Sequence, residues 1–319
     1  MPNEYYDYII IGAGAAGLSS AQYGARSGMK TLVLDVSIPG GQALSINNLE
    51  NYPGVFPAVN GSELVQTMEK QARMFGAEIR QAQVSAIDKV KNKFTITTDS
   101  GLLECAALLI ATGAEHRMLG VPGETEFTGR GVSYCATCDG PFFAGKKILV
   151  VGGGDSACVE AEYLAELTDD VVMVHRRSEL RAQKAIADRV LANKNITVRF
   201  NSAVEEIRGD GKVQSVILSD TITNERTELP CDAVFIFAGM KPRTDIVSIL
   251  PVDRGGYITT DENMATAVPG IFCAGDVRAK PFRQLVTAVS DGAVAAHAAE
   301  NYIRTLRGIS YDKKSGEQS

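Results

Sequence analysis

Histidine clusters, a second close cysteine pair, a long unbroken apolar run and an excess of positive charge are all missing from this chain of 319 residues. Each absence removes a class of protein. The three histidines, His116, His175 and His297, are scattered, and of the six cysteines only Cys135 and Cys138 stand close together. A structural zinc site ordinarily needs two close pairs or clustered histidines, so no metal is expected. A formal charge of −6 argues against nucleic acid or an anionic membrane as the main partner. The first residues, Met1 to Asp7, lack the basic stretch of a secretory signal. The apolar run from Tyr8 is broken by Gly12, Gly14 and Gly17 and is too short to span a bilayer. Cytoplasmic residence is therefore the expectation. With 45% hydrophobic and 22% charged residues, the composition is that of a soluble globular protein long enough for two domains.

What is present starts at once. Asp7 to Ile11 is an apolar strand of the kind buried in a parallel sheet. It runs into Gly12-Ala13-Gly14-Ala15-Ala16-Gly17, and a helical stretch follows from Leu18 to Ser27. Strand, glycine turn and helix together form a dinucleotide fingerprint, in which the helix amino terminus presents free N–H groups to a pyrophosphate. A second strand, Lys30 to Leu34, ends in Asp35, about 20 residues beyond the glycines, where a carboxylate can accept from an adenosine ribose. Pro39-Gly40-Gly41-Gln42 and Asn51-Tyr52-Pro53-Gly54 read as turns. A helix is expected over Glu63 to Phe75, then a small antiparallel sheet around Phe94, Ile96 and Thr98. Another buried strand closes at Ala111-Thr112-Gly113.

The second half repeats the plan. Lys147 to Val151 leads into Gly152-Gly153-Gly154-Asp155-Ser156-Ala157 and a helix to about Leu167. Val171 to Val174 is the next strand, and Ala233 to Gly239 mirrors the exit at Gly113. The units differ after their second strands. The first has Asp35, suited to a free ribose 2′-hydroxyl; the second has His175-Arg176-Arg177 with Arg181 beyond, suited to a 2′-phosphate. The first site therefore reads as FAD and the second as NADPH. Past Gly239 the nucleotide pattern stops. An apolar strand ends at Gly275-Asp276, where an acid can hold a polyol, and a small-residue helix follows from Arg283 to about Leu306. From Gly308 the tail is polar and expected to fray.

Between the two glycine signatures lies Cys135-Ala136-Thr137-Cys138-Asp139. Two cysteines at this spacing can close a small disulfide ring and exchange electrons in pairs. Alone, the motif leaves structural zinc, a thioredoxin-like centre and chance spacing open. The neighbouring nucleotide signatures favour a redox relay. Cys105, Cys158, Cys231 and Cys273 sit in apolar contexts and read as buried, inert thiols.

Taken together, the chain resembles the low-molecular-weight thioredoxin reductases of bacteria over nearly its whole length. The landmarks are Gly12 to Gly17, Gly40-Gly41-Gln42, Glu50 to Gly54, Ala111 to Gly113, Cys135 to Asp139, Gly152 to Ala157, His175 to Arg177, Gly275-Asp276 and Arg283-Gln284. Two departures stand out: Asp35 occupies a place where a longer Glu is common, and Asp155-Ser156 varies the second loop. The resemblance implies an α/β protein with two Rossmann-like domains, each a parallel sheet plus a small antiparallel meander. An FAD domain would comprise residues 1–117 and 246–319, with an NADPH domain at 118–245 between them. It also implies a homodimer whose electrons pass from NADPH to FAD, to a Cys135–Cys138 disulfide and on to thioredoxin. Cys138 would face the flavin, Cys135 would attack thioredoxin, and Asp139 would protonate a leaving thiolate. Asn51, Val84, Leu285 and Gly239 join the implied cofactor contacts. Because the inserted domain carries both the nicotinamide site and the disulfide, it is expected to turn about linkers near Arg117–Gly120 and Met240–Arg243. Two other functions fit the same motifs: reduction of another redoxin or a peroxiredoxin partner, and slow-turnover redox sensing.

Overall fold

The computed structural model describes residues 4–46 and 49–309. Met1 to Asn3 and the tail beyond Ile309, including most of the stretch expected to fray, lie outside the described residues. The chain divides into two compact units, Met1–Glu115 with Pro242–Ser319, and His116–Lys241.

In the first unit the strand Glu4–Ile11 lies between Thr31–Asp35 and Gly101–Ile110, parallel to both. Glu78–Gln81 extends the sheet beyond Thr31–Asp35. Successive side chains of an extended strand point to opposite faces, which sorts the core into two layers. Ile10, Val33 and Leu109 face the helices Ala15–Arg26, Gly61–Met74 and Leu285–Leu306. Ile9, Leu32 and Leu108 face the other side with Phe94 and Ile96. The expected antiparallel meander exists, as Val84–Val90, Lys93–Thr98 and the start of Gly101–Ile110. It is not separate from the parallel sheet. The strand Gly101–Ile110 serves both, pairing antiparallel to Lys93–Thr98 at its start and parallel to Ile271–Cys273 at its end.

The first helix begins at Ala15, earlier than the apolar pattern suggests, because small residues let the first turn form directly from Gly14. The stretch expected as a turn from Pro39 to Gln42 runs into a 3-10 helix over Gly41–Ser45.

The second unit has a parallel sheet in the order Ile196–Arg199, Val171–Val174, Ile148–Gly152, Ala233–Phe237, Val132–Ser133. The helices Asp155–Leu167 and Lys184–Ala192 cover one face over Val150, Met173 and Phe235. A separate antiparallel sheet, Ser202–Gly209, Val213–Asp220 and Arg226–Pro230, covers the other over Leu149, Val174 and Val234. Both units are thus Rossmann-like, as expected. Cys105, Cys158, Cys231 and Cys273 are buried free thiols, and burial pushes Cys158 up to about 11 and Cys231 up to about 12. Few such groups ionise at neutral pH, so they stay inert.

Candidate active site and nucleotide-binding loops

In the first unit the carboxyl ends of the central strands and the loops beyond them meet around one glycine turn. Gly14 caps the helix Ala15–Arg26 in an extended conformation, and the space a Cβ would take there is open. Gly17 has no such room: a Cβ would overlap the carbonyl oxygen of Gly12, so helix and turn can pack this closely only with glycine. Gly40 donates its N–H to the Ala13 carbonyl at 2.8 Å, and Gly41 lies against Gly14. Asp35, at the end of its strand, accepts from the Ala13 N–H at 2.6 Å and from the Ser37 N–H at 3.0 Å. Its short side chain is therefore drawn onto the glycine turn, where a glutamate would reach beyond it.

The exit of Gly101–Ile110 carries Ala111, Thr112 and Gly113 past Gly12, and the Thr112 hydroxyl donates to the Arg243 carbonyl at 2.6 Å. Gln42 donates to the Ala114 carbonyl at 3.1 Å. Gly275 sits over Ala16. Gln284 caps the helix Leu285–Leu306 reciprocally with Thr287, and its Oε1 accepts from Asn51 at 3.2 Å. The Arg283 guanidinium stacks 3.8 Å above the Tyr257 ring. Val84 stands apart from this gathering. Its side chain is in the apolar core, although the Ala82 N–H donates to the Asp35 carbonyl and holds that chain segment near the strand end.

Two features of this site match a bound dinucleotide. The helix amino terminus with the open face at Gly14 is an anion cradle. Asp276 has a buried Oδ1 without a hydrogen-bond partner, and burial pushes its carboxyl up. Buried acceptors are nearly always paired, so this one is shaped for a donor from outside the chain.

The second unit builds a comparable cradle from other residues. Gly154 caps Asp155–Leu167 with open space where a Cβ would lie. Asp155 accepts from the Gln183 N–H and side-chain amide, both at 2.7 Å, and the Arg181 N–H donates to the Gly153 carbonyl at 2.6 Å. The segment carrying the arginines is thereby clipped to the glycine turn. Arg176, Arg177 and Arg181 are exposed, and none of the three guanidiniums has a carboxylate partner among the described residues. Ser156 is exposed and Gly239 ends the neighbouring strand.

His175 behaves differently from its neighbours. It is 7% exposed, with its ring packed where a Cβ at Gly153 would fall. Burial, then Arg177 and Arg176, hold it below the usual imidazole range. Its ring packs behind the turn where Gly153 leaves room, and its buried Nε2 has no hydrogen-bond partner among the described residues.

Cys135 and Cys138 form a disulfide with their Cα atoms 5.3 Å apart. Cys135 caps the one-turn helix Ala136–Asp139, its Sγ accepting from the Cys138 N–H at 3.2 Å and lying 3.4 Å from the Thr137 hydroxyl. Ala136 is fully buried in the core, Cys135 and Asp139 are half-buried, and Cys138 is exposed. Sequence reasoning missed the residues that aim this turn. Ser133 Oγ accepts from the Cys135 N–H at 3.1 Å. Buried Glu124 accepts from the Leu119 and Gly120 N–H groups at 2.8 and 2.7 Å and from the Tyr134 hydroxyl at 2.7 Å. The residue before Cys135 is thus tied to the chain segment that enters the unit. The only advance signal was the buried-type Tyr beside the cysteine; its acidic partner is ten residues away.

A family model described as pyridine nucleotide-disulphide oxidoreductase matches residues 6–292. A thioredoxin reductase of Treponema pallidum (strain Nichols) is 56% identical over 95% of this chain and 98% of its own length. One from Bacillus subtilis (strain 168) is 44% identical over 95% of this chain and 96% of its own. The crystal structure of Lactococcus lactis thioredoxin reductase in its FR conformation superposes with a TM-score of 0.92, at 44% identity, covering 94% of this chain and 100% of that one. With the Cys135–Cys138 disulfide and a glycine cradle in each unit, these matches show that the chain belongs to the thioredoxin reductases of the pyridine nucleotide-disulphide oxidoreductase family, flavoproteins that use FAD and NADPH.

Proposed function

We propose that this protein reduces the disulfide of thioredoxin, with FAD held by residues 1–117 and 246–319 and NADPH by residues 118–245. The observation that carries the reading is the Cys135–Cys138 disulfide placed at a helix start, with an N–H aimed at one sulfur only. Gly12, Gly14, Ala15, Ala16, Gly17, Gly40 and Gly41 would cradle the FAD pyrophosphate, with Asp35 and the backbone near Val84 toward its adenosine. Gln42, Asn51, Ala111, Thr112, Gly113, Asp276, Arg283, Gln284 and Leu285 would line the rest. Gly152, Gly154, Asp155, Ser156 and Gly239 would seat NADPH, its 2′-phosphate taken by Arg176, Arg177 and Arg181. Bound FAD supplies the means of taking a hydride from NADPH and delivering two electrons to a disulfide.

Once the pair is reduced, the Cys138 N–H and the Thr137 hydroxyl stabilise charge on Cys135, making it the better thiolate. Cys135 attacks a thioredoxin sulfur, and the other thioredoxin sulfur leaves as a thiolate, which Asp139 protonates. Cys138 then attacks Cys135, its thiol proton passing to the Asp139 carboxylate. The Cys135–thioredoxin bond breaks, the intramolecular disulfide is restored, and the second thioredoxin thiolate takes a proton from water to complete the dithiol. The inserted unit turns about its two linkers between taking electrons and giving them. The protein acts as a cytoplasmic homodimer; no helix among the described residues is long and apolar enough to cross a membrane. Sedimentation of the holoenzyme at twice 34.0 kDa would support the dimer.

The central test is NADPH-dependent turnover with oxidised thioredoxin. Cys138→Ser and Cys135→Ser should each abolish it, by about a thousandfold or more, since a lone thiol cannot complete two-step exchange. Reduction of the bound flavin by NADPH should persist in both. Thioredoxin reduction by Cys138→Ser at the normal rate would refute the mechanism.

A further inference from the structure

Behind the Gly275-Asp276 turn lies a charge cluster that no sequence motif announces. The Lys280 side chain is 5% exposed, with its Nζ 2.9 Å from Asp291 Oδ2 and 3.8 Å from Asp276 Oδ1. Asp291, on the helix Leu285–Leu306, is itself 7% exposed. Its Oδ1 accepts from Arg278 at 2.9 Å and its Oδ2 from the Gly275 N–H at 3.1 Å. Arg278 also donates to the Thr260 hydroxyl at 3.0 Å, and Lys280 lies 3.3 Å from the Thr287 hydroxyl. Two carboxylates and two cations balance one another, with both Asp291 oxygens paired to cations.

Such a cluster is a poor way to gain stability. Burying an ammonium costs several kcal/mol, and apolar replacements of buried ion pairs are often as stable or more so. Its value must lie in what it holds. Within the cluster Asp276 Oδ1 is a buried oxygen without a hydrogen bond. Burial drives the Asp276 carboxyl toward its neutral form, and Asp291 adds to that push; Lys280 first, then Arg283, oppose it. Lys280 is the nearer cation, and Asp291 fixes it while also holding the Gly275 N–H at the base of the same turn.

We propose that Lys280, anchored by Asp291 and Arg278, is a positioning residue that keeps Asp276 a fixed anionic acceptor for the hydroxyls of FAD. This rests on the reading of Asp276 as an FAD contact. Without Lys280 the balance moves further toward the protonated carboxyl, a donor in place of an acceptor, so FAD would be lost more readily as pH falls.

The test uses full-length holoenzyme, with FAD release on dilution read by flavin fluorescence at pH 6 and pH 8. Lys280→Met should raise the FAD dissociation constant at both pH values, and at least about threefold more at pH 6 than at pH 8. Lys280→Arg should restore both values to near wild type, and Lys280→Gln serves if the Met variant does not fold. Asp276→Asn should weaken binding at both pH values, and adding Lys280→Met to it should change nothing more. Wild-type retention by Lys280→Met beside a weakened Asp276→Asn would overturn the role of Lys280 and leave the Asp276 contact standing. A pH-independent loss that Lys280→Arg does not rescue would also overturn it, as mere packing. Wild-type retention by Asp276→Asn would overturn the contact itself.

Discussion

The two glycine loops share a frame and differ at nearly every residue that faces a ligand or a core. Gly12 and Gly152 open the turns, and Gly14 and Gly154 cap the helices with open space above. Beyond that the chemistry diverges. The first second-strand ends in Asp35, drawn back onto the turn by the Ala13 N–H; the other ends in His175, tucked behind Gly153, with Arg176 and Arg177 left free. The third loop position is Gly17 in one and Ala157 in the other. Three residues further on, buried Ser20 pairs with the Tyr8 hydroxyl at 2.8 Å, while Glu160 leaves Oε2 buried and unpartnered, with Ile148 where Tyr8 would stand. The strand–turn–helix geometry is general. Ligand choice and local stability are written in the residues around it.

The sharpest way to break the comparison is to exchange the third loop residue. Gly17→Ala places a methyl on the Gly12 carbonyl, so helix and turn must separate; about 3 kcal/mol or more of stability should go, with most of the bound FAD. Ala157→Gly removes only a buried methyl and some helix propensity, about 1–2 kcal/mol. Thermal unfolding with flavin content should show a fall of about 6 °C or more in the first and about 2–4 °C in the second. Equal, small shifts would mean that the two turns are interchangeable.

Cofactor choice is the next contrast. Each charge-assisted bond to a phosphate contributes about 1.5–3 kcal/mol, so Arg176→Ala with Arg177→Ala should lower kcat/KM for NADPH by roughly a hundredfold or more. NADH has no 2′-phosphate and should change by less than about threefold. Steady-state kinetics with both nucleotides decides it, and equal losses would sink the phosphate assignment.

Much of this was legible in the chain itself. Apolar runs such as Tyr8 to Ile11 and Ile148 to Val151 can only be central strands, and the glycines after them fix the turn locally. The residue that follows the second strand then distinguishes the two sites without any tertiary information. What stayed hidden depends on partners far apart in sequence. Nothing near Leu103 says that one strand will carry both a meander and a parallel edge. His175 stands in the chain beside two arginines, and only the fold puts its ring behind Gly153 with a buried Nε2 that none of the described residues meets. The cysteine turn is aimed by Glu124, and Asp276 is backed by Lys280 and Asp291, through bonds that no periodicity signals.

Glu160 gives the smallest effect and the finest contrast between the two helices. Burial alone pushes its carboxyl up to about 7, from an ordinary 4.5. Between those values the folded protein binds a proton that the unfolded chain has lost, so stability must fall as pH rises from about 4.5 to about 7 and stay lower above it. At 1.36 kcal/mol per unit the ceiling is about 3 kcal/mol, and water reaching a side chain near the helix surface should leave about 1–2. Glu160→Gln removes the titration while keeping the shape. The variant should gain that amount over wild type at pH 8 and nearly nothing at pH 4.5, read from urea midpoints at both values. Ser20→Ala in the other helix breaks a satisfied pair and should cost about 1 kcal/mol at every pH, because neither Ser20 nor neutral Tyr8 changes charge in that range. A Glu160→Gln gain that did not vary with pH would place its cause in packing, and the contrast between a paired and an unpaired buried polar group would fall.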